Sequence, residues 1–462
     1  MKRRARREWK RGAPKVALLA TLVLSTACVD TSTGDSIAGG EAVPIEWYGG
    51  LGTGAQAEHI ADQEAIVDEF NRSQDAIDLQ VTFVDPDEAH VVLRDRIAEG
   101  DPPDVVGPVG ILGSNDFDGE FLDLTDFLDE FSLDLYDPAQ IDVWRDGDQV
   151  TAVPFGVYPA VIFYNRELFD RAGLPYPPAE FGDEYRGRPW DTTVFRTLAE
   201  QLTLDVNGNH VGEAGYDPGQ VIQFGFHHQW LADPRSHGTF FGPGSLVGDD
   251  GRAQIPERWL DEWRWYHDAM FRTHVAPDLD ETESAFLGDG NAFATGRVAM
   301  AFTHTWYVSS IADAAGPLDF WDLAVAPSHN GLSTSKLHAD TFRILSSTEH
   351  PHEAVDVLRH LLGPAAERLH EVYSSFPARL DHRARTLAEL AERYPSVSTW
   401  EVIDRSLAHP DIPSHEAAIP GMPGSQDLIT EFGERLRSEP DFDVEAEVRV
   451  LREGLDSTFG SP

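Results

Sequence analysis

The alternation of strand-like and helix-like segments from residue 44 onward predicts an α/β fold with a mostly parallel sheet covered by helices. Three observations support this. Short runs such as Pro44-Ile-Glu-Trp-Tyr48 and Leu79-Gln-Val-Thr-Phe-Val84 have strand composition. The segments between them carry apolar residues on one helical face. Glycine and proline punctuate the boundaries, as at Gly49-Gly50 and Pro102-Pro103.

Taken in order, the first strand at 44–48 leads into the loop Gly49–Gly54. A helix follows, with Ile60, Ala61, Ile66, Val67 and Phe70 on one face. The alternating strand 79–84 comes next, then an amphipathic helix at 91–98 stopped by Gly100. Asp104-Val-Val106 is a short strand of the buried kind. A second set begins near residue 150, with strands expected at 150–154 and 160–164 and a short helix at 167–172. The helix at 190–204 places Val194, Phe195, Leu198, Ala199 and Leu202 together. Further elements are expected at 259–272, 291–296, 298–303, 306–315, 323–326 and 352–362. The C-terminal third reads as mostly helical, broken by a loop at 406–424, and no internal repeat is evident.

The N-terminus reads as an export signal. Residues 1–15 hold eight Lys/Arg and one acid, and Val16–Leu24 is an apolar run too short to span a bilayer. Ser25-Thr26-Ala27 then leads into Cys28, the single cysteine of the chain. This pattern is similar to a bacterial lipoprotein signal, with acylation of Cys28 and cleavage before it; Leu24 lies one residue earlier than the usual leucine. Arg6-Arg7-Glu8-Trp9-Lys10 matches a twin-arginine signal in part, so the Sec and twin-arginine routes both stay open. Residues 29–43, small and polar, read as a flexible tether.

Composition narrows the function. Removing residues 1–15 moves the formal charge from −43 to −50, which argues against binding nucleic acid or anionic lipid surfaces. A single cysteine leaves no intrachain disulfide. Roughly 430 residues beyond the signal suffice for two or three domains. The usual marks of an enzyme are missing. There is no G-x-S-x-G elbow, no H-E-x-x-H, no Walker loop and no G-x-G-x-x-G at a strand-to-helix turn. With 79 acids a glycosidase pair is not excluded by counting, but nothing singles out two of them. His227-His228 invites a metal reading, yet adjacent histidines rarely ligate one ion without further ligands. Asp205-Val-Asn-Gly-Asn209 begins like a calcium loop, but His210 and Tyr216 stand where that loop needs Gly and Glu. A tight Asn-Gly turn accounts for it better. No cofactor and no metal is expected.

Several ordered segments resemble one family, the extracellular solute-binding proteins of ABC importers. Glu99-Gly-Asp-Pro-Pro-Asp-Val105 resembles its G-x-x-P-D-V turn, and Leu122-Asp-Leu-Thr-Asp-Phe-Leu128 the helix start that follows. Val153-Pro-Phe-Gly156, Ile162-Phe-Tyr-Asn-Arg-Glu-Leu-Phe169 and Ala172-Gly-Leu-Pro175 resemble its central stretch. Phe293-Ala-Thr-Gly-Arg-Val-Ala-Met300 with Trp306, then His352-Glu-Ala354 and Phe376-Pro-Ala378, resemble its later marks. The carbohydrate branch, which includes maltose-binding proteins, fits best. The resemblance implies the two-lobed periplasmic-binding-protein type II fold, an α/β architecture with the ligand cleft between lobes and hinge closure on binding. The chain then divides into a lipoprotein signal peptide (1–27), a tether (28–43), a first lobe (44–155 and 328–373) and a second lobe with a helix-rich C-terminus (156–327 and 374–460).

The same resemblance implies the site. A sugar needs flat aromatic walls for its C–H faces and short polar groups for its hydroxyls. Trp47, Tyr48, Tyr158, Trp230 and Trp306 are aromatics at loop-like positions. Trp306 matches the main stacking tryptophan, with His304 beside it. Gly50 and Thr53 fall in the loop after the first strand, and Asn115 or Asp116 follow the turn after Val106. Tyr158 and the stretch His227-His228-Gln229-Trp230 fall at cleft positions, with His228 and Trp230 the contacts chosen. Asp340 falls in the loop crossing back to the first lobe. Arg379 lies near the last crossing, either forking onto hydroxyls or forming a salt bridge. The partners implied are a carbohydrate, the permease subunits of an ABC importer and, through lipid on Cys28, the outer face of the cell membrane; the chain itself is expected to be a monomer. A polyamine- or metal-binding member of the superfamily is the alternative, with a glycan hydrolase or an adhesive surface protein further behind.

Overall fold

The computed structural model describes residues 42–52, 57–312, 321–422 and 424–460. Cys28, the signal assigned to 1–27 and the tether assigned to 28–43, up to residue 41, lie outside the described residues, as does Thr53; the last tether residue, Val43, opens the first strand of the sheet.

The strands of the main sheet and the helices of seven residues or more are, in chain order, β1 (Val43–Gly49), α1 (Ala57–Ser73), β2 (Ile77–Phe83), α2 (Pro86–Glu99), β3 (Val105–Gly110), β4 (Gly156–Asn165), α3 (Arg166–Ala172), α4 (Thr192–Leu202), β5 (Leu204–Asp205), β6 (Val221–His228), α5 (Glu257–Phe271), β7 (Val298–His304), β8 (Trp321–Ala324), β9 (Leu337–Ile344), α6 (Pro351–Leu362), α7 (Ala366–Tyr373), β10 (Phe376–Pro377), α8 (Leu380–Arg393), α9 (Gly424–Ser438) and α10 (Val444–Phe459). They build a ten-stranded sheet in the order β2-β1-β3-β9-β4-β7-β6-β5, with β8 and β10 also pairing β4.

The sheet is mixed rather than mostly parallel. β1 pairs β2 and β3 in parallel, and β6 pairs β7 in parallel. Every pairing of β4 and β9 is antiparallel. The helix-strand alternation foretold the first parallel group, β1 to β3, and the β7 strand of the second; β6 was not foreseen, and β4 and β9 join the two groups at long range, which no local pattern reports.

β4 organises the molecule. All ten of its residues are buried. Its first half pairs β9 and β10, whereas its second half, Ala160–Asn165, pairs β7 and β8. Pro159 stands at the changeover, where a residue with no N–H to donate interrupts no ladder. The Ala160 N–H donates to the Lys336 carbonyl, just before β9 begins.

Local chemistry sets the helix ends. Asp191 caps α4 by accepting from the Thr193 and Val194 N–H groups, a contact worth about 1 kcal/mol. α2 begins at Asp85 with Pro86 in its first turn and stops at Gly100, whose φ of 78° suits a residue without Cβ. The α4 face predicted to be apolar is buried, with Phe195 edge-on to Phe226 at 5.0 Å. Truncating such a side chain to Ala costs about 3–5 kcal/mol.

Several expectations shift. The strand foreseen at 150–154 is only Gln149–Val150, paired with Arg145–Asp146 in a separate hairpin. Asp340 lies in no loop: it is on β9, paired with Gly110 on one side and Gly156 on the other. Polar residues in Leu337-His-Ala-Asp-Thr341 hide a strand that is covered on both sides. Trp47 and Tyr48, read as loop aromatics, are fully buried on β1. Trp47 donates its indole N–H to the Gly107 carbonyl, and the Tyr48 hydroxyl donates to the Ala89 carbonyl. The Asp205 turn is as expected: the carboxylate accepts from the N–H groups of Asn207, Asn209 and Asp217. Its oxygens are thereby committed to backbone donors.

Candidate ligand-binding site

The parallel neighbours β6 and β7 each deliver a tryptophan two residues beyond their C-terminal ends. β6 ends at His228 and leads to Trp230; β7 ends at His304 and leads to Trp306. The crevice outside the carboxyl ends of parallel strands is a general ligand position in α/β sheets. The two indoles lie nearly parallel, 10° apart with ring centres at 6.1 Å. Trp230 is held at φ 56° and is 45% exposed. A bulky exposed aromatic in the left-handed region is a costly arrangement of the kind found at ligand sites. The Gln229 side chain fixes this corner by donating to the Gly290 carbonyl and accepting from the Phe293 N–H. Trp306 follows a turn pinned by the Thr305 N–H to the Pro159 carbonyl, and the buried Tyr307 hydroxyl donates to Asn291.

Trp306 also forms one wall of a cavity of about 380 Å³. Tyr158 of β4, Phe376 of β10 and Tyr394 and Trp400 near the C-terminal helices supply further aromatic surface. Polar groups come from α7 (Glu367, Glu371) and α8 (Arg385, Glu389, Arg393). The Trp400 indole N–H and His382 Nδ1 both belong to lining residues, are buried, and have no hydrogen-bond partner among the described residues. Such groups cost free energy unless a ligand or water satisfies them.

Tyr158 ties this cavity to the sheet centre. Its hydroxyl meets Asp340 and Ser375, and burial raises its pKa well above the ordinary phenol value. Burial raises the Asp340 carboxyl to about 6, against the lowering effect of the Tyr158 hydroxyl. The Tyr158 carbonyl faces His304 Nδ1 at 2.6 Å. The His304 ring lies 17° from the Trp306 plane, as His338 does within 19°. Trp306, His304, His338 and His415 thus form a stack of aromatic planes beside the cavity.

The other sequence-derived positions lie elsewhere. Gly50 sits at φ 126°, and a Cβ there would fall 2.2 Å from the Val84 carbonyl oxygen, so this glycine serves a close backbone approach. Asp116 pairs with Arg94 and lies near His90. Its neighbour Asn115 donates instead to the Glu416 carbonyl, beside His415. Arg379 forms a two-pronged pair with Asp381. None of these four predicted residues, Gly50, Asn115, Asp116 and Arg379, lines the cavity.

His228 is buried with Glu262, Nε2 to Oε1 at 3.0 Å, stacked on His237 and edge-on to Tyr266. Burial holds His228 well below its ordinary pKa and pushes Glu262 up to about 8. Near neutral pH this is a neutral hydrogen bond, the carboxyl proton shared toward Nε2, rather than an ion pair. It is core packing away from the cavity. Sequence reading missed the α7 and α8 residues of the cavity wall. Their charges at helical spacing look like any solvated helix face, and only the fold turns that face toward Trp306.

The chain matches the family model described as bacterial extracellular solute-binding protein over residues 57–368. No curated protein sequence matches it. Among solved structures, it is similar to UspC of M. tuberculosis at 18% identity and TM-score 0.69, covering 90% of this chain and 100% of that one. It is similar to the sugar-binding protein MalE from Xanthomonas citri at 16% identity and TM-score 0.68, covering 90% and 97%. An ABC substrate-binding protein from Listeria monocytogenes, solved in complex with cycloalternan, aligns at 17% identity and TM-score 0.63, covering 91% and 100%. The fold is the mixed α/β, two-lobed type of periplasmic binding proteins, and the chain belongs to the bacterial extracellular solute-binding protein family.

Proposed function

We propose that the protein is the substrate-binding component of an ABC importer and captures a carbohydrate between its lobes without chemically altering it. The observation that carries this reading is the cavity beside Trp306. Its volume falls within the roughly 300–1,000 Å³ typical of small-molecule sites. It combines flat aromatic walls with carboxylates, arginines and an unpartnered indole N–H. Aromatic faces suit the C–H surfaces of a sugar, while carboxylates accept from its hydroxyls and guanidinium groups donate to them. Solved relatives of this fold include proteins bound to cycloalternan, mannotriose and maltotriose.

In this reading the lobes are 44–155 with 328–373 and 156–327 with 374–460, and the change of partners along β4 supports a division there. Sugar bridging both lobes stabilises the closed form, which the permease then engages. Cleavage before Cys28 and acylation of its thiol anchor a monomeric protein to the outer face of the membrane. No helix among the described residues is long and apolar enough to cross a membrane.

Calorimetric titration of the purified protein with mono-, di- and oligosaccharides and with polyamines, in the presence of EDTA, tests the reading. Saturable binding of one sugar class is expected. Binding of polyamines with no sugar bound overturns it.

A further inference from the structure

Three histidines far apart in the sequence meet behind Trp306. His304 ends β7, His338 lies on β9, and His415 comes from the loop before α9. One ring nitrogen from each lies within 4.8 Å of the others. Tetrahedral zinc sites with bonds of about 2.0–2.1 Å space their ligands roughly 3.3 Å apart, so modest side-chain rotation closes the group.

The surroundings prepare these rings as ligands. The His304 Nδ1 faces the Tyr158 carbonyl, which only accepts, so Nδ1 carries the proton and Nε2 offers a lone pair. The His415 Nδ1 faces the Asp411 carboxylate at 2.7 Å, and its Nε2 is freed in the same way. Asp411 is itself fixed by the N–H groups of Leu337 and His415. A carboxylate or carbonyl behind a histidine is the usual outer support of a ligating imidazole. Both Nε2 atoms are buried and without a hydrogen-bond partner among the described residues. On the third ring, His338 Nε2 lies 3.3 Å from Glu416 Oε1, the separation two ligands of one tetrahedral ion would have. His338 keeps a quarter of its side-chain surface exposed, which provides a path inward.

We propose that His304, His338 and His415 bind a divalent transition metal of the zinc class, with the Glu416 carboxylate as fourth ligand. Three imidazoles and one carboxylate suit zinc, copper or nickel and not calcium or magnesium. Coordination through His338 Nε2 places the proton on Nδ1, which the Trp306 indole N–H now approaches at 3.3 Å. Two donors cannot share that contact, so loading the metal releases Trp306 from His338. The ion would therefore set the orientation of a cavity-wall aromatic. The inference does not rest on the sugar reading, because the metal is titrated without sugar and sugars are titrated with EDTA.

The test is equilibrium dialysis of the metal-stripped, purified protein against Zn²⁺, paired with Co²⁺ titration followed by visible absorption. One tight equivalent and an intense tetrahedral cobalt spectrum are expected. His415→Gln and the partly exposed His338→Gln should each weaken binding at least 100-fold. Should His415→Gln fail to fold, His338→Gln and the wild-type cobalt spectrum still decide. No stoichiometric binding, an octahedral spectrum, or undiminished affinity in a folded variant would overturn the proposal.

Discussion

Two groups of histidines behave in opposite ways. His227 and His228 are adjacent in the chain and look like a site, yet both are buried in the core. His228 has Glu262 for a partner and five aromatic neighbours in Phe226, His237, Phe240, Tyr266 and Phe302. His304, His338 and His415 look like no group in the sequence, where only His304 stands out as a neighbour of Trp306, yet they converge beside Trp306 with two lone pairs unused. Consecutive residues on a strand point to opposite faces, so adjacency on β6 separates two side chains instead of joining them. Distance along the chain says little once a sheet brings β7 beside β4 and β4 beside β9.

The contrast breaks first at His228. His228→Ala removes ring packing and strands the buried Glu262, so a stability loss of about 3–5 kcal/mol is expected in denaturant unfolding. Sugar affinity should stay within twofold of wild type; a large affinity loss in the folded variant would place His228 at the site after all. Trp306→Ala should do the reverse. Its affinity for the sugar that binds wild type should fall at least 100-fold in calorimetry, about 2.8 kcal/mol, with little change in melting temperature. Retained affinity would remove Trp306 from the site.

A finer distinction lies in pH dependence. The folded pKa of Glu262 is raised from 4.5 to about 8. Its contribution is fully present below pH 4.5 and is lost as pH rises toward 8, by up to about 1.4 kcal/mol per pH unit. Glu262→Gln keeps a donor toward His228 and removes the titration. Melting curves between pH 5 and 8 should therefore be flatter in the variant than in wild type; identical slopes would mean Glu262 is not held neutral. The smallest effect is expected at Arg379. Its pair with Asp381 is partly exposed, so Arg379→Ala should cost less than about 1 kcal/mol and leave sugar affinity unchanged.

Of the candidate site, Trp306 and Tyr158 on the cavity wall and Trp230 stacked beside Trp306 were legible, because each is an aromatic at a recognisable position in an ordered set of segments. His304 was legible only as a neighbour of Trp306. Gly50, Asp116 and Arg379 occupy matching positions, but here they serve a tight backbone approach and two ion pairs. Glu367, Arg385 and Glu389 were illegible because a charged helix face reads the same whether water or a cavity lies in front of it. β9 was illegible because His338 and Asp340 break the apolar pattern of a buried strand. Their cost is met by partners on other elements: Glu416 and Trp306 for one, Tyr158 for the other.

By itself, the sequence determined the elements whose information is local: the parallel group β1–β3, the strand β7, the helices α2 and α4, and the aromatic positions that mark the family. Periodicity, caps and turn residues act over a few neighbours, so they can be read along the chain. The tertiary structure alone decided how β4 and β9 join the two groups, which charged faces turn inward, and which histidines meet. Those outcomes depend on contacts between residues separated by tens to hundreds of positions, set by the packing of the whole sheet and not by any local pattern.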